Sequence, residues 1–269
     1  MAIEPMKQFM IERVEWLPPI VVGGLDLSVT NSVLMMLIAA GIIVAILGVS
    51  AKGAIVPGRM QAVGESLFDL IDGILVTPII GPAGKPYIPF IFTIFMLVLT
   101  MNMMGVVLSF GHVVGQDWTF TPTAQLAVTA TLAVLTFVAV IVIGFVKNGL
   151  GMYKLFVPSG MPLAMVIVMV PIEMISFFVR PLTLAMRLFG NMLGGHVVMN
   201  IFASFVVALG AFAAAGGLAS LGYLGSGLSL AMVVALTGLE LVVAGLQAFV
   251  FAALATVYLN EVVNLGHGH

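Results

Sequence analysis

Arg187 stands in Thr183-Leu184-Ala185-Met186-Arg187-Leu188-Phe189-Gly190-Asn191-Met192, inside a stretch apolar enough to lie in lipid. A guanidinium keeps its proton at any physiological pH, and holding it near a bilayer centre costs about 2.5 to 3.5 kcal/mol even on the lenient insertion scale. Such a residue is expected to serve a partner. Glu173 and Arg180 precede it at seven-residue steps, and each step returns to within about 20° of the same helical face. A stripe of that polarity requires protein or water in front of it. His196 lies nine residues beyond Arg187, about 180° round an undistorted helix, and so points elsewhere. Its expected partner is Glu240, set in Val234-Ala235-Leu236-Thr237-Gly238-Leu239-Glu240-Leu241-Val242-Val243 on the next hydrophobic stretch. An acid and an imidazole in contact inside a membrane can hold or pass a proton. Gln247 and Tyr258 return to the face of Glu240 and extend a polar line along that helix. A fixed cation accompanied by Glu173, His196 and Glu240 reads as a site that handles protons.

Plainer roles stand beside these. Glu173 and Arg180, the latter next to Pro181, also fit a structural ion pair. Gln247 fits an ordinary interhelical hydrogen bond, and Tyr258 an anchor at the membrane interface. His112, His267 and His269 fall in a loop and a tail, without the carboxylate spacing of a metal site, and read as solvated. The methionines read as apolar filler, so no metal and no cofactor is expected.

The elements that must position these groups are membrane helices. The chain is 62% hydrophobic and 7% charged, whereas soluble domains carry about 25% charged residues. It has no cysteine, which removes disulfides and thiolate chemistry. Nine Lys and Arg, dispersed along the chain, make no basic face for nucleic acid. Met1 to Pro19 carries Glu4, Lys7, Glu12, Arg13 and Glu15 with no basic-then-apolar pattern, so no cleaved signal peptide is expected.

The predicted architecture is an all-α integral membrane protein in a single membrane domain, 1–269. An outside N-terminal segment, 1–28, precedes a first membrane helix at 31–49. A helical hairpin at 88–110 and 124–147 is followed by two long stretches at 162–215 and 228–264. Both long stretches exceed one perpendicular crossing, and tilt is preferred to a chain reversal because Gly190, Gly194 and Gly195 favour close helix contact. Ala211 to Gly227, rich in Gly, Ala and Ser, reads as the turn between them. Between the first two spans, 57–80 reads as an amphipathic surface helix. Met60, Val63, Leu67, Leu70, Ile71 and Ile74 form its apolar stripe, and Glu65, Asp69 and Asp72 lie opposite, with Phe68 off the stripe. Lys52, Arg59, Lys85, Lys147 and Lys154 mark cytoplasmic loops, while Gly111 to Thr121 has no basic residue. This predicts an outside N-terminus and a cytoplasmic C-terminus. No internal repeat is visible, which argues against duplicated transporter folds; a self-contained ion-coupled transporter or antiporter is the alternative reading.

Arg187-Leu188-Phe189-Gly190-Asn191-Met192, preceded by Glu173 and followed by Leu246-Gln247-Ala248-Phe249-Val250-Phe251 and Tyr258-Leu259, resembles the subunit a family of F-type ATP synthases. Met101-Asn102-Met103-Met104-Gly105 resembles that family's second membrane helix. The resemblance implies two long tilted helices embracing a ring of c-subunit proteolipids, with peripheral-stalk b subunits as further partners. It implies a non-catalytic subunit that translocates protons. Arg187 would face the rotor carboxylate between two aqueous half-channels, with Gln247 and Asn191 near it. His196 and Glu240 would serve proton intake from outside, and Glu173 the inner half-channel. Part of the family has Glu at the position of His196 and His at that of Glu240; the exchanged pair here is like mitochondrial and some bacterial members. The resemblance places the chain in the cell inner membrane, with the mitochondrial inner membrane as the alternative, and protons are preferred to sodium because of the Glu240/His196 pair.

Overall fold

The computed structural model describes residues 28–51, 57–113, 122–157, 163–214 and 221–265, together with 13, 21–22 and 25–26. These residues are almost wholly helical; outside the helices lie a small antiparallel ribbon pairing Val21–Val22 with Leu25–Asp26 and an isolated antiparallel bridge between Arg13 and Thr30. Helices α1 (Asn31–Ser50), α2 (Arg59–Leu70), α3 (Thr77–Ile79), α4 (Ile88–Val113), α5 (Leu126–Asn148), α6 (Leu163–Ala213) and α7 (Gly222–Val263) follow in order. Five spans within this series, Asn31–Ser50, Gly81–Leu108, Leu126–Asn148, Met165–Ala213 and Gly222–Val263, are long and apolar enough to cross a membrane. The chain is therefore an all-α, multi-pass membrane protein, as hydrocarbon demands of a chain whose backbone polar groups must be paired internally. The N-terminal segment Met1–Pro19 apart from Arg13, Lys52, the side chains of His112 and Lys154, His267, His269 and most of Gly111–Thr121 lie outside the described residues.

Both long stretches are continuous helices. α6 has 51 residues and α7 has 42, which at 1.5 Å per residue gives about 77 and 63 Å against a hydrocarbon core of about 30 Å. Such helices must tilt in a bilayer or extend beyond it. α6 runs on through Pro171 and Pro181, each of which lacks the N–H that would bond the carbonyl one turn earlier. α7 begins at Gly222, earlier than the predicted 228, because Gly222 lets the helix start against α6. A side chain there would meet the Leu209 carbonyl oxygen at 2.8 Å.

The contacts group into two compact units, each assembled from three chain segments. The first comprises Met1–Ala39, Leu99–Gln125 and Leu188–Gln247. Its core includes Val106, Ala124, Met192 and Ala244, with Met103 packed against them. Polar ties cross this core. Asn102 Nδ2 donates to the Ala244 carbonyl at 3.1 Å, and Ser32 Oγ donates to Gln125 Oε1 at 2.8 Å. Near the α6–α7 turn, Ser226 Oγ donates to the Val206 carbonyl at 2.9 Å. In an apolar interior such bonds fix which helix faces meet, since pure van der Waals packing between apolar helices selects weakly.

The second unit comprises Ala40–Val98, Leu126–Arg187 and Ala248–His269. Asn148 Nδ2 donates to the Val262 carbonyl at 2.6 Å, and Asn264 Nδ2 to the Ile80 carbonyl at 3.1 Å, so the end of α7 is tied down from two sides. Phe177 of α6 packs on Phe137 of α5 with ring centroids 4.8 Å apart. The predicted surface helix at 57–80 divides: α2 passes into a π-helical segment, Ile71–Val76, before the short α3. Its contact face also differs from the expected stripe. Met60, Val63 and Ile74 are exposed, while Gln61, Ile71, Leu75 and Val76 are buried and Phe68 meets Phe92 edge-on at 5.8 Å. Gly64 explains the rotation. It admits Ser50 so closely that an added Cβ would lie 2.8 Å from the Ser50 Cβ, and this approach chooses the inward face before apolarity does. Met60, Val63 and Ile74 of the apolar stripe are left outward, while Ile71 of that stripe is buried.

Candidate functional site

In the first unit, α6 and α7 bring His196 and Glu240 together, with Nδ1 and Oε1 3.4 Å apart. Their side chains are only 2% and 5% exposed. The backbone makes this approach possible, since a Cβ on Gly195 would sit 2.6 Å from Glu240 Oε1. Neither Glu240 oxygen has a hydrogen-bond partner among the described residues, so the imidazole is the ionic group set against this carboxyl. One turn earlier on α7, Thr237 Oγ1 donates to the Val233 carbonyl at 2.8 Å and does not compete for the acid. A buried acid in contact with an imidazole and with few other bonds is suited to exchanging a proton, because each protonation state of one is stabilised by the other.

The Gly195 contact yields a test. Gly195→Ala is expected to displace the Glu240 carboxyl and lower proton flux through the assembled membrane sector several-fold, about 1 kcal/mol in barrier terms. Gly41→Ala, on α1, where nothing lies within 4 Å of an added Cβ, should leave flux unchanged. Flux is read as dye quenching in vesicles, and equal effects from the two substitutions would count against the role given to Gly195.

Gln247 is buried on α7, and Asn191 is exposed on α6 between the open glycines Gly190 and Gly194. Asn102, buried, bonds the carbonyl of Ala244, one turn beyond Glu240. Nothing in the type or spacing of Asn102 predicts this bond, because an uncharged amide in an apolar helix is silent about its neighbours.

In the second unit a separate cluster surrounds Arg180. Its guanidinium bonds Glu261 on α7 directly and reaches Glu173 Oε1 at 3.4 Å. It also lies over the rings of Phe177 and Tyr258, at 5.6 and 5.1 Å from their centroids. The expected Glu173–Arg180 pair therefore exists, but Arg180 has a second acid. Tyr258 stacks on this cation within the protein. Glu261 was missed, although its position three heptads after Glu240 and three residues after Tyr258 was a usable signal.

Arg187 differs from Arg180. It is exposed on α6, and among the described residues no carboxylate lies within ion-pair distance of it. Among the described residues no group of three His, Asp or Glu converges as metal ligands.

Fold and site together define a class: a multi-pass helical membrane protein with a buried acid–imidazole pair and, on the longest of the five described spans, an arginine that no carboxylate of the described residues neutralises. The family of ATP synthase A chains matches residues 32–260. The chain is 41% identical over 266 residues to ATP synthase subunit a of Rhodopseudomonas palustris (strain BisB18), covering 98% of this chain and 100% of that one. It is 44% identical over 269 residues to ATP synthase subunit a of Chelativorans sp. (strain BNC1), covering 99% and 100%. ATP synthase subunit a of Pelagibacter ubique (strain HTCC1062) is 42% identical over 268 residues, again covering 99% and 100%. The chain belongs to the ATP synthase A chain family.

Proposed function

We propose that this chain is the proton-translocating stator subunit of an F-type ATP synthase, without catalytic activity of its own. The observation that carries the reading is Arg187. A permanent cation in a membrane-spanning helix, exposed and with no carboxylate of the described residues in reach, calls for an acid supplied by another chain. By helical period Thr183, Arg187, Gly190, Asn191 and Gly194 share a stripe, and all five are exposed. Small side chains around a cation suit a surface past which a ring of c-subunit carboxyls moves closely.

In this mechanism a proton enters from the outer side by way of Glu240 and His196 and neutralises a rotor carboxylate, which then enters lipid at far lower cost than an ion would. After nearly a full circle, the carboxyl meets an inner path near Glu173 and releases its proton. Arg187 stabilises the ionised form at that moment and prevents protons from passing directly between the two paths. Gln247 and Asn191 serve the same exchange of protons with the rotor. Each proton contributes about 2.3 kcal/mol per 100 mV of membrane potential, summed over several to drive ATP formation. The location that suits this role is a bacterial inner membrane, with the N-terminus outside and the C-terminus in the cytoplasm, consistent with Arg59, Lys85 and Lys147 near the inner helix ends. Peripheral-stalk b subunits complete the set of partners.

The reading is tested by purifying the chain from its native membrane and weighing the accompanying chains. Many copies of a small two-helix proteolipid are expected, and proton flux is expected only from the assembled complex. Ion transport by the purified chain alone would replace this reading with that of a self-contained transporter.

A further inference from the structure

Arg180 and its contacts are not accounted for by the roles above. Its side chain is 17% exposed, and Glu173 and Glu261 are each 32% exposed. The guanidinium is held from several directions. Glu261 bonds it directly, Tyr258, on the same α7 face as Glu261, lies beneath it, and Phe177 of its own helix adds a further ring. The contact with Glu173 is different in kind: 3.4 Å is the long edge of a hydrogen bond, beyond the 2.7 to 2.9 Å usual between ions. One cation thus faces two acids, and its position is set by one of them. Among the described residues the other charged or titratable neighbours are Tyr258 itself and Arg187, two turns further along α6, whose charge also reaches Tyr258.

We infer that Glu261 is the dedicated counter-ion of Arg180, and that this pair is a positioning device which keeps the guanidinium from closing on Glu173, leaving Glu173 able to exchange protons. The inference rests on the reading of Glu173 as the inner proton path. A partly buried guanidinium must be neutralised by some acid, since an unpaired charge there is far more costly than a paired one. Without Glu261, the remaining acid in contact with the guanidinium is Glu173, whose Oε1 is already 3.4 Å away. A carboxylate clamped by a permanent cation no longer takes up and releases protons freely. Glu261 therefore acts by occupying Arg180, not by carrying protons itself.

The test compares passive proton conduction per assembled complex in vesicles stripped of the soluble head, with assembly scored as the ratio of c-subunit proteolipid to this chain. Glu261→Gln is expected to lower conduction about tenfold, and Glu261→Arg combined with Arg180→Glu, which keeps a neutralised pair, to restore most of it. Arg180→Gln/Glu261→Gln, which removes the clamp and its counter-ion together, is expected to conduct within about twofold of the unaltered complex, a strong departure from additivity. A contact that merely holds two helices together would alter the assembly ratio and leave conduction per complex unmoved. Full conduction in Glu261→Gln, or a double variant as impaired as the singles combined, overturns the inference. Glu173→Gln is the separate control. Full conduction there sinks the inner-path reading and this inference with it, whereas loss there beside an unaffected Glu261→Gln sinks the inference alone.

Discussion

Arg187→Ala, assembled in its complex, is expected to abolish ATP synthesis driven by a proton gradient while allowing protons to leak across the membrane. On the proposed reading, a cation held in lipid at about 3 kcal/mol serves a matching interaction with the rotor acid, and losing that much stabilisation slows the coupled step by roughly a hundredfold. On the same reading leakage follows, because the charge proposed to forbid direct passage between two proton paths is gone. The substitution should be structurally mild. Arg187 is exposed and has no ion pair among the described residues, so alanine breaks no internal contact of that kind. The measurement pairs ATP synthesis with dye-monitored proton leak in vesicles from the same preparation. Preserved coupling would remove Arg187 from the mechanism.

The second large effect is expected at the acid–imidazole pair. His196→Ala and Glu240→Ala should each reduce proton flux by more than tenfold, and the double variant should be little worse than either single. Residues in direct contact typically show interaction energies of 0.5 to 3 kcal/mol, and a pair at 3.4 Å with 2% and 5% exposure belongs at the upper part of that range. Burial sharpens the effect, because either single variant leaves the other polar group without its partner in an apolar surrounding. Simple additivity across the cycle would mean that the two residues act on different steps despite their proximity.

Much of this molecule is legible one residue at a time. The fold class follows from a chain that is 62% hydrophobic and 7% charged, since only internally bonded helices accommodate such a sequence in lipid. The long stretches on either side of the Gly, Ala and Ser-rich turn emerge as α6 and α7 because they contain no break strong enough to end a helix, Pro171 and Pro181 included. The expectation that His196 would find Glu240 came from chemistry: a buried acid needs a partner, and few candidates existed.

Other features depend on rotations of one helix against another. The inward face of α2 and of the π-helical segment after it runs through Gln61, Ile71 and Leu75, on the side where Gly64 admits Ser50, a contact that no count of apolar residues in 59–76 contains. Glu261 pairs with Arg180 across two helices 81 positions apart in sequence, whereas the heptad rule looked along a single helix and found Glu173. Gly195 was legible as a site of close contact, but only packing shows that the atom it admits is the carboxyl oxygen of Glu240. Sequence by itself determined which segments enter the membrane and that Arg187, Glu173, His196 and Glu240 needed partners there, since burying charge is costly wherever it occurs. Tertiary structure alone decided which partner each received, because helical phase and interhelical distance are set jointly by side chains far apart in the chain, and a difference of one small residue turns a face toward its neighbour or away from it.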